Sequence, residues 1–317
     1  MNLKPDMDMR PSTNYWNPRD IPAMFSEHIE PQPLPSPAQR RALRQEMLSE
    51  GLWMRLRRMA QGFAALLHAH RWSGLLRAAD VVMRDRAVRV NGLPDPEHAL
   101  SRPDGFCALA DDLSVGALMD IYARGIYADS GLTKASLWAP AQRRVIELDN
   151  YSLTRTHPRA RQTALNFDTS FDTVLAQSNE QRVVRQSPVL LHAFAEAAEA
   201  GIVHSLELRD VNAALEGGLY GMAVGRVFIV HGFFARDIAV EDSLIEGFLA
   251  QLKAKQFKLV DFTPLSAFFH PAMQNMSRQQ FAATVCDHLA GTRVGRWFIE
   301  SESGPTEAAE APVRSAA

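Results

Sequence analysis

Apolar positions alternate with small or polar ones along three consecutive stretches, Gly201–Leu208, Glu216–Gly225 and Val227–His231, punctuated by Gly217, Gly218, Gly221 and Gly225. A period of two predicts strand, tight turn and strand. On either side the period lengthens to that of helices. Asp112-Leu-Ser114 caps a helix Val115–Arg124 that stops at Gly125. Asp168-Thr-Ser-Phe171 caps a helix Asp172–Ser178, and a helix Pro188–Ala200 stops at Gly201. Leu244, Ile245, Phe248, Leu249 and Leu252 line one side of a helix Glu241–Lys255. Arg278–Leu289 reads as a closing helix, Arg144–Leu148 as a strand and Phe257–Asp261 as a buried strand. Leu137–Pro140 is extended, Asp80–Pro96 is strand and turn, and Thr154–Gln162 is a short basic helix. From residue 144 the order is strand, helices, hairpin, helix, strand, helix. That order predicts an α+β domain with a mixed, largely antiparallel sheet.

The N-terminal region has a different texture. Residues 1–37 hold eight of the 18 prolines, which excludes helix and central strand and predicts a flexible arm. Ser36 and Pro37 then open a helical run through Leu43, Met47, Leu52, Leu56, Met59, Phe63, Leu66 and Leu67. Its polar face carries Arg40, Arg41, Arg44, Arg55, Arg57, Arg58 and Arg71. One reading is an amphipathic helix packed on the domain with a solvated arginine face. The other is a helix that binds tRNA or a membrane. The expected organisation is an arm over 1–37, a helical and small α/β region over 38–150, an acyltransferase-like domain over 151–300 and a disordered tail over 301–317.

Composition narrows the function classes. At 317 residues and 46% hydrophobic content the chain can bury a sizeable core. Its net charge of −2 excludes polyanion binding by overall charge, so any nucleic-acid contact must be a local patch. Cys107 and Cys286 form no motif, which is consistent with a reducing cytoplasm. No signal-peptide pattern or long apolar run is present, and no membrane span and no DNA partner are expected. P-loop, dinucleotide-binding and nucleophile-elbow motifs are lacking. His68 and His70 do not share a helix face, so no metal and no cofactor is expected.

Several segments, in order over about residues 105–290, resemble the leucyl/phenylalanyl-tRNA–protein transferases. Asp112-Leu-Ser114 with Leu118–Ile126 resembles that family's Asp-Leu-Ser…Tyr-Arg-x-Gly-Ile-Phe opening. Leu137–Ile146 resembles its Trp-Trp-Ser-Pro-x-Pro-Arg-x-Val-Leu block. Asp168–Phe171, His204-Ser205 with Glu207, Gly217–Gly221, Arg236 and Val260-Asp261 follow at fitting intervals. The resemblance implies the acyltransferase fold shared with the GNAT superfamily of N-acetyltransferases. It also implies aminoacyl-tRNA as donor and a protein or peptide N-terminus as acceptor.

The chain departs from the family pattern on the substrate side. His231 stands where the family has an acidic residue, and Thr263 where it has glutamine. Glu241 and Asp242 replace a Ser-Lys pair, and Val184-Arg-Gln186 replaces Thr-Trp-Ile. Aminoacyl transfer needs an aligned amine and ester and a stabilised oxyanion. Asp261, at a strand end, is the residue expected to orient or deprotonate the amine. The alternative for Asp261 is a buried carboxylate that satisfies a turn. His231 is either a neutral base or a satisfied histidine beside a glycine bend. The Tyr220–Gly221 turn, Arg236, Thr263 and Trp138 are expected to support the substrate pocket. Glu241 and Asp242 are either helix-dipole partners or acceptor-binding carboxylates. Arg143, Arg144, Arg155, Arg159 and Arg161 are expected either to meet tRNA phosphates or to be a solvated surface. Three functions follow: an aminoacyltransferase moving leucine, phenylalanine or a related residue, an N-acyltransferase with another donor or acceptor, or an inactive homologue that binds a partner.

Overall fold

The structure is a computed structural model that describes residues 42, 44–46, 48–57, 60, 80, 87–90, 92–130, 134–152, 164–182, 184–291, 295 and 297. The expected arm over 1–37, the tail over 301–317, the helix Thr154–Gln162 and the residues Arg155, Arg159 and Arg161 lie outside these. Chain units run Met1–Leu43 and Arg44–Ala317, and every element below belongs to the second.

Seven strands form the main sheet. They are β6 (Gln142–Glu147), β7 (Ala164–Phe167), β8 (Val203–Arg209), β9 (Leu215–Val224), β10 (Val227–Ala235), β11 (Leu259–Asp261) and β12 (Gln274–Ser277). Their order is β12-β6-β11-β10-β9-β8-β7. Only β10 and β11 run parallel, so the sheet is mixed and mostly antiparallel, as the element order predicts. The sheet draws on both sides of residue 150, where the sequence reading placed a boundary. A second sheet of three strands, β3 (Phe106–Leu109), β4 (Tyr127–Ser130) and β5 (Ala135–Trp138), has the order β3-β5-β4. A small hairpin joins β1 (Arg89–Val90) to β2 (Leu93–Pro94).

Five α-helices pack with these sheets, α1 (Val115–Ala123), α2 (Phe171–Gln181), α3 (Pro188–Glu199), α4 (Ile238–Ala254) and α5 (Arg278–His288), beside short 3-10 helices at Pro96–His98 and Leu289–Gly291 and a helical run at 52–57. Their starts follow local chemistry. Ser114 and Ser187 accept from the backbone N–H three residues on, and Ser277 and Gln280 form a capping box. Helix α4 starts three residues earlier than its apolar pattern predicts. Asp237 is the cap and accepts from the Val240 N–H at 2.9 Å. Asp242 consequently sits past the first turn.

The sheet has two buried faces. Tyr220, Met222, Val224, Val227 and Ile229 face one core with α1, α2 and α3. Leu219, Ala223, Phe228 and Val230 face the other, against Leu244, Phe248 and Leu249 of α4. Each of those α4 side chains is fully buried and contributes about 1.5–3 kcal/mol. The alternation along β10 breaks once. Val230 lies opposite Gly221 and Gly232 opposite Tyr220, which leaves His231 as the extra residue of a bulge. Beyond it, parity is shifted, so Phe233 turns to the α4 core and Phe234 to the other.

Of the arginines and apolar residues named for the arginine-rich run, only Arg44, Leu52, Arg55, Leu56 and Arg57 are described; Arg55 and Arg57 are exposed, as the packed-helix reading expects, and the others depart from it. Arg44 is buried and pairs with Asp172 and Glu199. Leu52, Trp53, Met54 and Leu56 are exposed.

Candidate active site

Strand β11 ends where Asp261 lies opposite Ile229 of β10, and β10 runs on to Ala235. The bulge follows two residues after that point. Asp261 and His231 are therefore set by one parallel strand pair and its ending.

Asp261 is wholly buried and fully engaged. One oxygen accepts from the Thr263 N–H at 2.9 Å and from the Thr263 hydroxyl. The other accepts from the guanidinium of Arg143, equally buried. That guanidinium also donates to the Gly125 carbonyl at 3.2 Å. It lies between the rings of Phe281, 4.1 Å away, and Tyr127, 5.0 Å away. Arg143 is thus an internal cation and not an RNA contact. Arg144 is spent similarly: its guanidinium donates to the carbonyls of Phe262, Leu265, Ser266 and Phe268 and staples the loop after β11. Its own N–H donates to the Thr263 hydroxyl oxygen at 2.8 Å. Adjacent arginines on a strand point to opposite faces, and each face here holds an acceptor set.

His231 sits among rings. Its centroid is 4.7 Å from Phe194, 5.4 Å from Tyr122 and 6.2 Å from Tyr127. The Tyr122 hydroxyl lies 2.7 Å from Nε2 and also accepts from the Ala128 N–H at 3.2 Å. We assign the phenol as donor to Nε2, which leaves the ring proton on Nδ1, a buried atom without a hydrogen-bond partner. Burial, reinforced by the cations Arg182 and Arg143, holds the imidazole far below its ordinary pKa, so it is neutral. Arg182 donates to the His231 carbonyl at 2.7 Å and to the Asp129 carboxylate at 3.0 and 3.2 Å.

Tyr220 extends the cluster. Its ring packs on Phe194 and Phe171, and its hydroxyl donates to Gln186 Oε1 at 2.6 Å. Gln186 Nε2 is also buried without a partner. Tyr220 and Gly221 lie in the middle of the ten-residue strand β9, not in a turn; the turn is at Gly225–Arg226. Gly221 is required by packing, because a Cβ there would lie 2.3 Å from the Ile229 carbonyl oxygen.

A continuous series of contacts therefore joins Asp261, Arg143, Tyr127, His231, Phe194 and Tyr220. The remaining expected residues lie elsewhere or do other work. Arg236 is half exposed and pairs with Glu216 and Asp237 at the far end of β10. Burial, then neighbouring Asp242, raises the pKa of Glu241 on α4. The Trp138 Nε1–H donates to Ser136 Oγ at 2.7 Å within the small sheet. His204 bonds Asp168 and stacks on Trp297, and Glu207 accepts from the Thr169 and Ser170 N–H groups, so both are structural. Sequence reasoning missed Tyr127, Arg182 and Phe194, which contribute rings and a charge from three separate elements. Among the described residues, no group of His, Cys, Asp and Glu side chains is placed to hold a metal ion.

The family profile for "Leucyl/phenylalanyl-tRNA protein transferase" matches residues 145–286. A leucyl/phenylalanyl-tRNA–protein transferase of Aromatoleum aromaticum is 30% identical over 65% of this chain and 91% of its own length. The chain belongs to this family. The transferases of Alkalilimnicola ehrlichii and Pseudomonas fluorescens are 29% and 28% identical, covering 86% and 94% of their own lengths. Two solved structures overlap the chain slightly. L-PGS from Bacillus licheniformis has 8% identity over 38% of this chain and 46% of that one, with a TM-score of 0.28. A conserved protein of Enterococcus faecalis, described as a probable N-acyltransferase, has 10% identity over 43% and 36%, with a TM-score of 0.32. Neither overlap informs the fold or the activity. The profile match spans His231 and Asp261, so the transferase homology covers both strands that set the site.

Proposed function

We propose that this chain is an aminoacyltransferase that moves leucine or phenylalanine from tRNA to the α-amine of a protein N-terminus, in the cytoplasm. The observation that carries the reading is the buried array from Asp261 to Tyr220, built within and against the segment that matches the transferases. The chemistry asks little of the protein. The amine, with an ordinary pKa near 7.7–8.0, is partly neutral at pH 7. Its nitrogen attacks the ester carbonyl carbon and the C–N bond forms. The C–O bond to the tRNA ribose breaks, and the amine proton passes to the departing hydroxyl. Positioning and a dry apolar wall for the moved side chain supply the catalysis.

Asp261 serves as a positioning residue in this scheme. Both its oxygens are engaged, so it fixes Thr263 and Arg143 and does not itself meet the amine. The wholly buried ring cluster of Phe194, Tyr220 and neutral His231 is a rigid packed support behind the surface that would meet the apolar moved residue. Glu241 and Asp242, on the more open helix α4, would supply acceptor-binding carboxylates in this reading.

The test is a transfer assay with tRNA carrying radiolabelled Leu, Phe or Met and peptides beginning with Lys, Arg, Asp or Glu. Label on a peptide from Leu- or Phe-tRNA, lost in Asp261→Asn, is expected. No label with any pair, while a family member transfers in parallel and the chain is folded, would sink the proposal.

A further inference from the structure

Residues 52–57 form a helical run whose large apolar side chains face solvent: Leu52 is 76% exposed, Trp53 78% and Leu56 52%. At about 100° per residue, Leu52, Leu56 and Trp53 fall within one arc of about 100°. Arg57 borders that arc on one side and Arg55 on the other, and both are exposed. Isolated apolar residues on a surface need no explanation, but a contiguous arc on one helix does.

The sequence that contains this arc is one-sided in charge. From Gly51 to Ala79 the sequence carries Arg55, Arg57, Arg58, Arg71 and Arg77 and no Asp or Glu, in a chain whose net charge is −2. An apolar arc of leucine and tryptophan bordered by arginine is the composition of a helix that lies in the headgroup region of a bilayer. Tryptophan and arginine favour that boundary, and anionic headgroups attract the cations. RNA would pair with the arginines but would leave two leucines against a polyanion. No helix among the described residues is long and apolar enough to cross a membrane, which leaves surface attachment.

We infer that the run 52–57 docks this protein on an anionic lipid surface. Its placement gives the attachment a direction. Arg185 Nη1 donates to Met54 Sδ at 3.5 Å. The same turn carries Gln186, which holds Tyr220 of the candidate site. Met54 lies on the side of the helix away from the arc, so docking sets the segment that carries Arg185 and Gln186 behind the helix and fixes the orientation of the site relative to the membrane.

The experiment is co-flotation of the full chain with vesicles of phosphatidylcholine alone and with one-third phosphatidylglycerol, at low and 0.5 M salt. Binding to the anionic vesicles only, weakened by salt, is expected. The variant Leu52→Glu/Leu56→Glu is expected to bind at least tenfold less, with an unchanged melting curve because both side chains are exposed. Arg55→Gln/Arg57→Gln is also expected to lose about tenfold or more, since each cation at such a surface is worth about fivefold. Absence of co-flotation, or co-flotation unaltered by Leu52→Glu/Leu56→Glu, overturns the inference. Two further results without vesicle binding also overturn it: a tRNA gel shift abolished by the arginine variant assigns the face to RNA, and a dimer in sedimentation velocity abolished by the leucine variant assigns it to a second copy.

Discussion

Arg143 on β6 and Asp261 on β11 form an ion pair with both side chains wholly out of solvent. The two strands are neighbours, and the pair ties the small sheet to the main one through Tyr127, whose ring lies under the guanidinium. Removing one charge strands the other in the core. Arg143→Met is therefore expected to cost about 3–5 kcal/mol in urea unfolding. The double variant Arg143→Met/Asp261→Leu removes both charges and is expected to recover most of that stability without recovering transfer. A stability change below about 1 kcal/mol in the single variant would mean the pair is not closed in solution.

Gly232 offers a second test of the site's packing. A Cβ at this position would lie 1.9 Å from Cε1 of Tyr220. The ring is walled in by Phe171 and Phe194 and held by Gln186, so it cannot swing away cheaply. Gly232→Ala is expected to destabilise by about 2–3 kcal/mol and to reduce transfer. Gly116, exposed on α1 with nothing within 4 Å of its Cβ position, is the control. Gly116→Ala is expected to gain about 0.5–1 kcal/mol with activity intact.

The fold was largely legible because each face of each strand has a core to meet. The alternation over Val203–Ile229 marks both buried faces, and serines and glycines mark most helix ends. What local pattern cannot show is which side chains meet across elements. Arg143 reads as one of a basic cluster, and only the pairing of β6 with β11 places it on Asp261. The bulge at His231 inserts one residue that parity alone does not reveal. Helix α4 begins at Ile238 because Asp237 caps it, although Ile238 is exposed and lies off the apolar stripe. The run 52–57 departs most from expectation, since a helical apolar period records amphipathicity but not whether its apolar side is covered.

The buried neutral His231 makes stability depend on pH. Its folded-state pKa lies below the unfolded value near 6.5, so the unfolded chain binds the extra proton as pH falls. Stability from this group is complete above about pH 6.5 and is lost below it, at up to about 1.4 kcal/mol per pH unit. Thermal melts from pH 7.5 to 5.5 should show a declining midpoint. His231→Gln should flatten that decline, because glutamine takes up no proton, and an undiminished slope in the variant would assign the effect to another histidine.

The segment His204–Glu207 distinguishes a structural motif from a catalytic one. Glu207 is fully buried and accepts from the Thr169 N–H at 3.2 Å, the Ser170 N–H at 3.1 Å and the Ser205 hydroxyl at 2.7 Å. Ser170 occupies the N-cap of α2 without a side-chain cap hydrogen bond, and the Glu207 carboxylate from β8 holds the Thr169–Ser170 backbone that leads into the helix, where its charge also favours the helix dipole. Glu207→Ala leaves the buried Ser205 hydroxyl and the part-buried Thr169 and Ser170 N–H groups without this acceptor and is expected to cost about 2–3 kcal/mol. Glu207→Gln keeps one oxygen in place and should cost about 1–2 kcal/mol. If the role is structural, transfer per folded molecule stays near wild type in Glu207→Gln at a temperature well below its melting point. A hundredfold fall in kcat there, with the melting curve intact, would instead place Glu207 in the reaction.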